Sequence, residues 1–415
     1  VTKQDKRRTY TVRILLYAGK GGVGKTSVAG ATGIIASRKD LRTLVLSLDP
    51  AHSLSDAFDL DRSLMDKNMG RPIPIADKLW IQELDVHEEI SRHWGEVHRY
   101  ISVLLNASGI EDVLAEELAV LPGMEEIASL LYVNQYAKEQ AYDVVILDCA
   151  PTAESIRFIS LPKTLEWYMQ KVFQLERRVM KVMRPMAKRL ADVPLPEDSY
   201  FESIQVLFDR LQGVDRLLID PQITSVRLVT NLEKMVLRET QRAFMFFSLH
   251  QLSIDAVILN RVFGESQDAA FTRGWQDSQQ EYQKLARTYF NPVPLFEVPY
   301  YRKEVLGYES LLELGTRLYG ERNPAEVFYV QRPYEFLQEN GMHLIKVHLP
   351  FIQKREIDLT KVGDELIIRI GNFKKNLILP RIFVSLETRK AQLNGDTLKV
   401  YFGEAHGRDQ DAKRT

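Results

Sequence analysis

Residues 12–38 read VRILLYAGKGGVGKTSVAGATGIIASR, and the order of residue types along them decides the fold. Val12 to Ala18 form a short, almost wholly apolar run, which predicts a buried strand. Glycines crowd Gly19 to Gly24, and the small and apolar residues from Thr26 to Arg38 predict a helix with one packed side. Strand, glycine-rich turn and helix in that order open an α/β unit.

The turn, Gly19-Lys20-Gly21-Gly22-Val23-Gly24-Lys25-Thr26, also carries a chemistry. Its glycines let the backbone curl until several N–H groups point inward, with a helix N-terminus behind them, and such a cradle suits a chain of phosphates. Lys25 can reach the β and γ phosphates, and Thr26, followed by Ser27, can offer a hydroxyl to Mg²⁺. The expected cofactors are therefore ATP or ADP, with Mg²⁺.

Beyond the turn, strand-like runs recur at LRTLVLSLD (41–49), KLWIQELD (78–85), YDVVILD (142–148), SVRLVT (225–230) and DAVILN (255–260). Several are apolar throughout rather than alternating, as parallel strands covered on both faces are. The spacing predicts helices over 86–105, 111–140, 163–191, 201–217, 231–250, 268–289 and 308–319, and LADVPLPEDSY (190–200) separates two of them. These stretches exceed minimal crossovers, so the regions 86–140 and 161–220 are expected to build a lid, a dimer surface or a binding groove. From Gly341 the runs HLIKVHLP, REIDLTKVGDELIIRIG, FKKNLILP and DTLKVYF are short, often alternating and punctuated by turn residues. The fold class expected is α/β, a P-loop NTPase with a mostly parallel central sheet and helical insertions over 1–325. A linker and an all-β sandwich follow over 326–403, then a polar tail over 404–415.

Composition narrows the setting. Hydrophobic residues at 45% and charged residues at 27% are those of a folded chain. A net charge of -1 gives no global pull toward nucleic acid or an anionic bilayer, and no basic DNA-binding module accompanies the loop. The single cysteine, Cys149, excludes an internal disulfide and a zinc site built from several cysteines of one chain. No apolar run approaches the roughly 20 residues needed to cross a bilayer. A soluble, cytoplasmic protein is expected, or one of the plastid stroma if a transit peptide has been removed.

Two strand ends add polar residues where open α/β sheets bind ligands. One leads into Asp49-Pro50-Ala51-His52-Ser53-Leu54-Ser55-Asp56, the other into Asp148-Cys149-Ala150-Pro151-Thr152-Ala153-Glu154. Asp148 reads as the acid that holds Mg²⁺ through its water shell, although either aspartate alone reads equally as a helix cap.

GKGGVGKT resembles the deviant Walker A loop of the dimeric ATPases that include septum-site and plasmid-partitioning proteins, the nitrogenase iron protein, and the arsenite and tail-anchored-protein targeting ATPases. In that class the early lysine, here Lys20, crosses the dimer interface to the partner's nucleotide; a solvated surface lysine is the alternative. DPAHSLSDAF and DCAPTAESIRF are similar to switch I and switch II of the arsenite and tail-anchored-protein targeting ATPases, and the likeness runs in order from about 12 to 319. It implies that Asp49 orients the attacking water, that Pro50 and Asp56 lie in the first switch, and that Pro151 and Thr152 lie in the second. It further implies that Asn260, in VILNRV, recognises adenine and that Pro299 and Tyr300 close the adenine pocket. Asp49, Lys20 and Lys25 form the implied catalytic set, in which positioning counts for more than proton abstraction.

The departures are informative. Without a CxxC there is no intersubunit zinc clasp, and one loop with one cysteine speaks against arsenite transport. Ala153-Glu154 stand where the family has Gly-His, and Cys149 where it has threonine.

Leu165, Met169, Val172, Val179, Met183, Met186 and Leu190 recur at helical spacing, as ordinary core or as the wall of a groove. The family places a hydrophobic client groove in this region, and methionine adapts to varied apolar shapes. Lys171, Arg177, Arg178, Lys181, Arg184, Lys188 and Arg189 form an opposite face suited to anionic headgroups or to plain solvation. Residues 341–402 resemble the α-crystallin domain of small heat-shock proteins, through LIIRIGN, NLILPRIFV and AQLNGDTLKVYF. One branch of the targeting ATPases lacks the CxxC and carries such a domain, which either binds client or only packs on the ATPase. The resemblance thus implies a homodimeric Mg-dependent ATPase that chaperones or targets apolar segments such as tail-anchored membrane proteins. An ATP-driven assembly or regulatory switch is the alternative, with arsenite transport behind it.

Overall fold

A computed structural model describes residues 12–48, 53–61, 68, 70–84, 102, 124–149, 152–169, 173, 175, 176, 178, 179, 198–264, 269–330, 334–339, 342–371 and 373–403. Strands β1 (Arg13–Ala18), β2 (Thr43–Ser47), β3 (Ile73–Ala76), β4 (Leu79–Glu83), β5 (Val144–Asp148), β6 (Thr224–Asn231), β7 (Ile254–Val262) and β8 (Leu295–Pro299) form one sheet in the order β3-β4-β2-β5-β1-β6-β7-β8. All run parallel except β3, which pairs antiparallel with β4. Every residue of β2 and β5 is buried, which is why those strands read as unbroken apolar runs. The edge strands β3 and β8 are half-buried, short and proline-bearing, so nothing in their pattern marked them as strands.

Helix α1 (Lys25–Arg38) leaves the glycine-rich turn and is buried almost all round, beneath the sheet and against the helix Gly307–Tyr319. Helix α2 (Ser53–Ala57) follows β2, and α3 (Met124–Glu139) precedes β5. Helix α4 (Thr152–Tyr168) contains Pro162, so the helix expected from 163 starts earlier. The single helix expected over 201–217 is two, α5 (Asp198–Leu211) and α6 (Val214–Ile219), because Gly213 takes φ 91° between them. Helices α7 (Lys234–Leu249) and α8 (Ala269–Phe290) flank β7, and α9 is Gly307–Tyr319. The helix expected over 86–105 (Ser102 apart), the part of 111–140 before Met124, most of LADVPLPEDSY and the tail from Glu404 lie outside the described residues.

The C-terminal region forms two antiparallel sheets. One is ordered β14 (Glu387–Asn394), β15 (Thr397–Gly403), β10 (Met342–His348), β9 (Tyr334–Glu339); the other is β11 (Ile357–Val362), β12 (Glu365–Ile370), β13 (Phe373–Ile378). Strand β9 precedes Gly341, inside the stretch read as connection, and its weak burial explains why no alternation announced it. Residues of β12 and β15 alternate between core and surface, so Leu366, Ile368, Val400 and Phe402 enter one shared core. Met245 and Leu249 of α7 join that core, which docks the sandwich onto the parallel-sheet domain. Phe351, at φ 71°, projects from the β10–β11 connection against Phe244, Tyr289 and Phe290, with ring centroids 5.8 to 6.0 Å apart.

Candidate functional site

The glycine-rich turn threads between its neighbours with no spare room. A Cβ on Gly19 would lie 2.2 Å from the Val229 carbonyl oxygen of β6. Gly24 has φ 92°, and a Cβ there would lie 2.3 Å from the Asn260 Nδ2. Side chains at these two positions would push the turn off β6 and β7. Gly21 and Gly22 have open space beyond them instead, and they face a cavity of about 740 Å³.

That cavity is where the separate sequence signals meet. Gly21, Gly22, Gly24, Lys25, Thr26 and Ser27 form one side, and Asn260, Pro299 and Tyr300 another; Ser53 and Asp56 of α2 also line it. Lys25 is only 6% exposed and its Nζ donates to the Lys20 carbonyl at 3.3 Å, which holds the ammonium over the turn. Lys20 itself is half-buried. The Thr26 hydroxyl lies 3.2 Å from that of Ser53.

Asn260 braces the turn across 237 positions of sequence: its Nδ2 donates to the Val23 carbonyl at 2.8 Å. Its Oδ1 accepts from the Arg261 N–H at 2.9 Å. A side-chain amide has two donor hydrogens and two acceptor lone pairs, so one of each remains for a base edge. Next to it, Tyr300 stacks on Phe263 with centroids 5.0 Å apart and planes 19° apart. Gln279 of α8 holds the intervening backbone, accepting from the Phe263 N–H at 2.8 Å and donating to the Arg261 carbonyl at 3.1 Å.

Asp148 closes β5 at 1% exposure, in register with Tyr17 of β1 and Ser47 of β2, and its carbonyl accepts from the Leu48 N–H. It therefore stands at the C-terminal ends of the central strands, between the strand entering the turn and the strand leading to α2. Cys149 beside it is 1% exposed, a small buried side chain. Asp49, Pro50 and Pro151 lie outside the described residues, and Thr152 is the first residue of α4.

Glu83, Phe263 and Gln279 escaped the sequence reading. Glu83 ends an apolar strand in LWIQE, the same signal that marked Asp148. Phe263 and Gln279 carried no signal, since each matters only through the loop it touches.

In the helical region, Met169 is 6% exposed and packs with Phe173 and Phe201, so it belongs to a small aromatic core rather than an open wall. Val179 is 41% exposed and Leu175, four residues before it, 60%. Val172, Met183 and Met186 lie outside the residues whose side chains are described. Among the described residues, no helix is long and apolar enough to cross a membrane, and no cluster of three or more His, Cys, Asp or Glu could hold a metal ion.

The donor set fits a polyphosphate: a nearly buried lysine, a helix N-terminus and a hydroxyl on the first helical turn, beside open space at Gly21 and Gly22. Comparison with known proteins agrees with this geometry. Residues 12–320 match the family model described as anion-transporting ATPase, and residues 340–402 match that of an HSP20-like domain found in ArsA. The chain is 46% identical over 394 residues to the "Putative arsenical pump-driving ATPase 1" of Aquifex aeolicus, covering 94% of this chain and 100% of that one. It is 34% identical over 397 residues to the "Putative arsenical pump-driving ATPase" of Prosthecochloris vibrioformis, covering 94% and 96%. With "ATPase get3" of Aspergillus niger it shares 24% identity over 332 residues, 78% of this chain and 95% of the other.

Proposed function

Because the chain belongs to the anion-transporting ATPase family, we propose that it is a homodimeric, Mg-dependent ATP hydrolase that couples its cycle to the chaperoning or targeting of apolar segments, such as those of tail-anchored membrane proteins. The observation that carries the nucleotide part is the one cavity joining the glycine-rich turn to Asn260 and Tyr300. For the client part the support is narrower: Leu175 and Val179, one helical turn apart, are both exposed apolar side chains in the helical region.

The proposed roles of Lys25, Thr26, Asp148 and Asn260 rest on their positions, and those of Asp49 and Lys20 on the resemblance alone. Lys25 exchanges the Lys20 carbonyl for phosphate oxygens, and the amides of the turn donate to the same oxygens. When bound, Mg²⁺ supplies neutralising charge beside the phosphates; the Thr26 hydroxyl and, through water, the Asp148 carboxylate are the groups to hold it. Asn260 offers its remaining donor and acceptor to the adenine edge, while Tyr300 and Phe263 give the base an aromatic neighbour. Asp49 orients the attacking water, and Lys20 of each subunit serves the partner's nucleotide. Transient contact with a membrane surface belongs to the same reading, through the basic residues between 171 and 189.

The names of two relatives favour arsenical transport as a second reading. Metalloid capture by thiolates is poorly served here, since the one cysteine of the chain is buried beside Asp148.

The test is a paired one. Lys25→Ala is expected to abolish nucleotide binding, whereas Asp49→Asn keeps binding and loses most turnover; undiminished turnover in Asp49→Asn removes that role. Co-expression with a transmembrane helix is expected to yield a co-eluting complex that Leu175→Ser/Val179→Ser weakens at unchanged basal ATPase rate. Failure to co-elute beside a positive-control chaperone removes the client and leaves the ATPase.

A further inference from the structure

We infer that Glu83 is a positioning residue for the phosphate end of the cavity, acting through helix α2; its chemical consequence rests on the ATPase reading above. Glu83 is the last residue of β4 and is 4% exposed. Its Oε1 accepts from the Leu54 N–H at 2.9 Å and from the Ser55 N–H at 2.8 Å. Amides of a first helical turn have no acceptor within their own helix, and a carboxylate satisfies them with charge-assisted hydrogen bonds.

Helix α2 is only five residues long, too short to hold its shape or place by its own cooperativity. Its pose is set by what grips it. Leu54 is fully buried and Phe58 packs in the core around α1, which fixes the apolar side. Glu83 fixes the polar end, and it does so from the rigid sheet, where it lies in register with Ser47 of β2. The product of the two grips is visible at the cavity: Ser53 stands 3.2 Å from Thr26, hydroxyl to hydroxyl, and Asp56 lines the wall. A second support of this kind holds reacting groups in place without touching the ligand.

Glu83 is therefore expected to govern kcat more than KM. The turn, Lys25 and Asn260 bind nucleotide without it, while small misplacements at the reacting end cost rate steeply. In the full-length chain, Glu83→Gln is expected to lower kcat by about tenfold, and Glu83→Ala by about a hundredfold. Both rates are counted per nucleotide-binding site, with KM and the affinity for a non-hydrolysable ATP analogue within about twofold of wild type. If Glu83→Ala does not fold, the isosteric Gln variant decides alone. An unchanged kcat, or kcat and binding sites falling together as folded protein is lost, overturns the inference. Hydrogen exchange in nucleotide-free protein gives an independent readout: Leu54 and Ser55 amides exchange faster in Glu83→Gln, and unchanged exchange there overturns the anchoring. Wild-type protein that does not hydrolyse ATP sinks the ATPase reading, and the exchange experiment still decides whether Glu83 holds α2.

Discussion

Arg227 on β6 and Asp255 on β7 face each other with no solvent exposure, Nε to Oδ1 at 3.0 Å. Arg227 also donates to the hydroxyls of Tyr17 and Tyr319 and to the carbonyls of Pro324 and Glu326. Its guanidinium lies 4.5 Å from the centre of the Phe328 ring. Burial opposes the charge, but Asp255 together with Tyr17 and Tyr319 holds the guanidinium more basic than usual. The network thus ties the sheet to the segment that leaves α9 for the sandwich.

Removing one partner of this pair strands a buried charge, so Asp255→Ala is expected to lose about 3–5 kcal/mol of stability. Replacing both, as in Arg227→Met/Asp255→Leu, is expected to cost clearly less than the single change. Chemical denaturation of the three proteins checks this, and equal losses would contradict the assignment of the cost to the unpaired charge.

Gly24→Ala places a Cβ where Asn260 now sits and demands φ 92° of a non-glycine residue. Nucleotide affinity is expected to fall by at least about tenfold, the factor that 1.4 kcal/mol represents. Titration with a fluorescent ATP analogue measures it. Gly320→Ala, at a positive φ with nothing near its Cβ, serves as a control for strain away from the site and should leave affinity unchanged.

Phe351 plugs the junction between domains, so Phe351→Ala is expected to weaken docking of the sandwich by about 2–3 kcal/mol, below the 3–5 kcal/mol typical of a fully buried phenylalanine. Calorimetry is expected to show a more cooperative transition in the parent than in the variant, whose transition broadens or splits because the two cores lose their shared contact.

The sandwich should also respond to acid. Burial lowers the pKa of His348, with Asp396 partly opposing the shift. A histidine whose folded value lies below its unfolded value of about 6.5 favours the folded state above that pH. Stability is then lost as pH falls from about 6.5 toward the folded value. Thermal melts at about pH 7.5 and 5.5 are expected to differ less in His348→Gln than in the parent.

What is local was legible in the chain: the turn from Gly19 to Thr26, the apolar strands β1, β2 and β5, and the alternation of β12 and β15. Such features are written in adjacent residues, because backbone conformation and period-two burial depend on immediate neighbours. Resemblance in short ordered motifs carried it further, to Asn260 and Tyr300, which do line the cavity beside the turn. Tertiary structure alone decided how Asn260 reaches the Val23 carbonyl, how Glu83 seizes the amides of α2, and how Arg227 meets Asp255 within a shell of tyrosines. It also moved Met169 from an expected groove into an aromatic core and divided the helix over 201–217 at Gly213. Each of these depends on which strands lie side by side, and the sheet order places β1 between β5 and β6 although the chain passes through three other strands first. Contacts between residues so far apart are selected by packing and burial of charge in the folded whole, so no local pattern in the chain announces them.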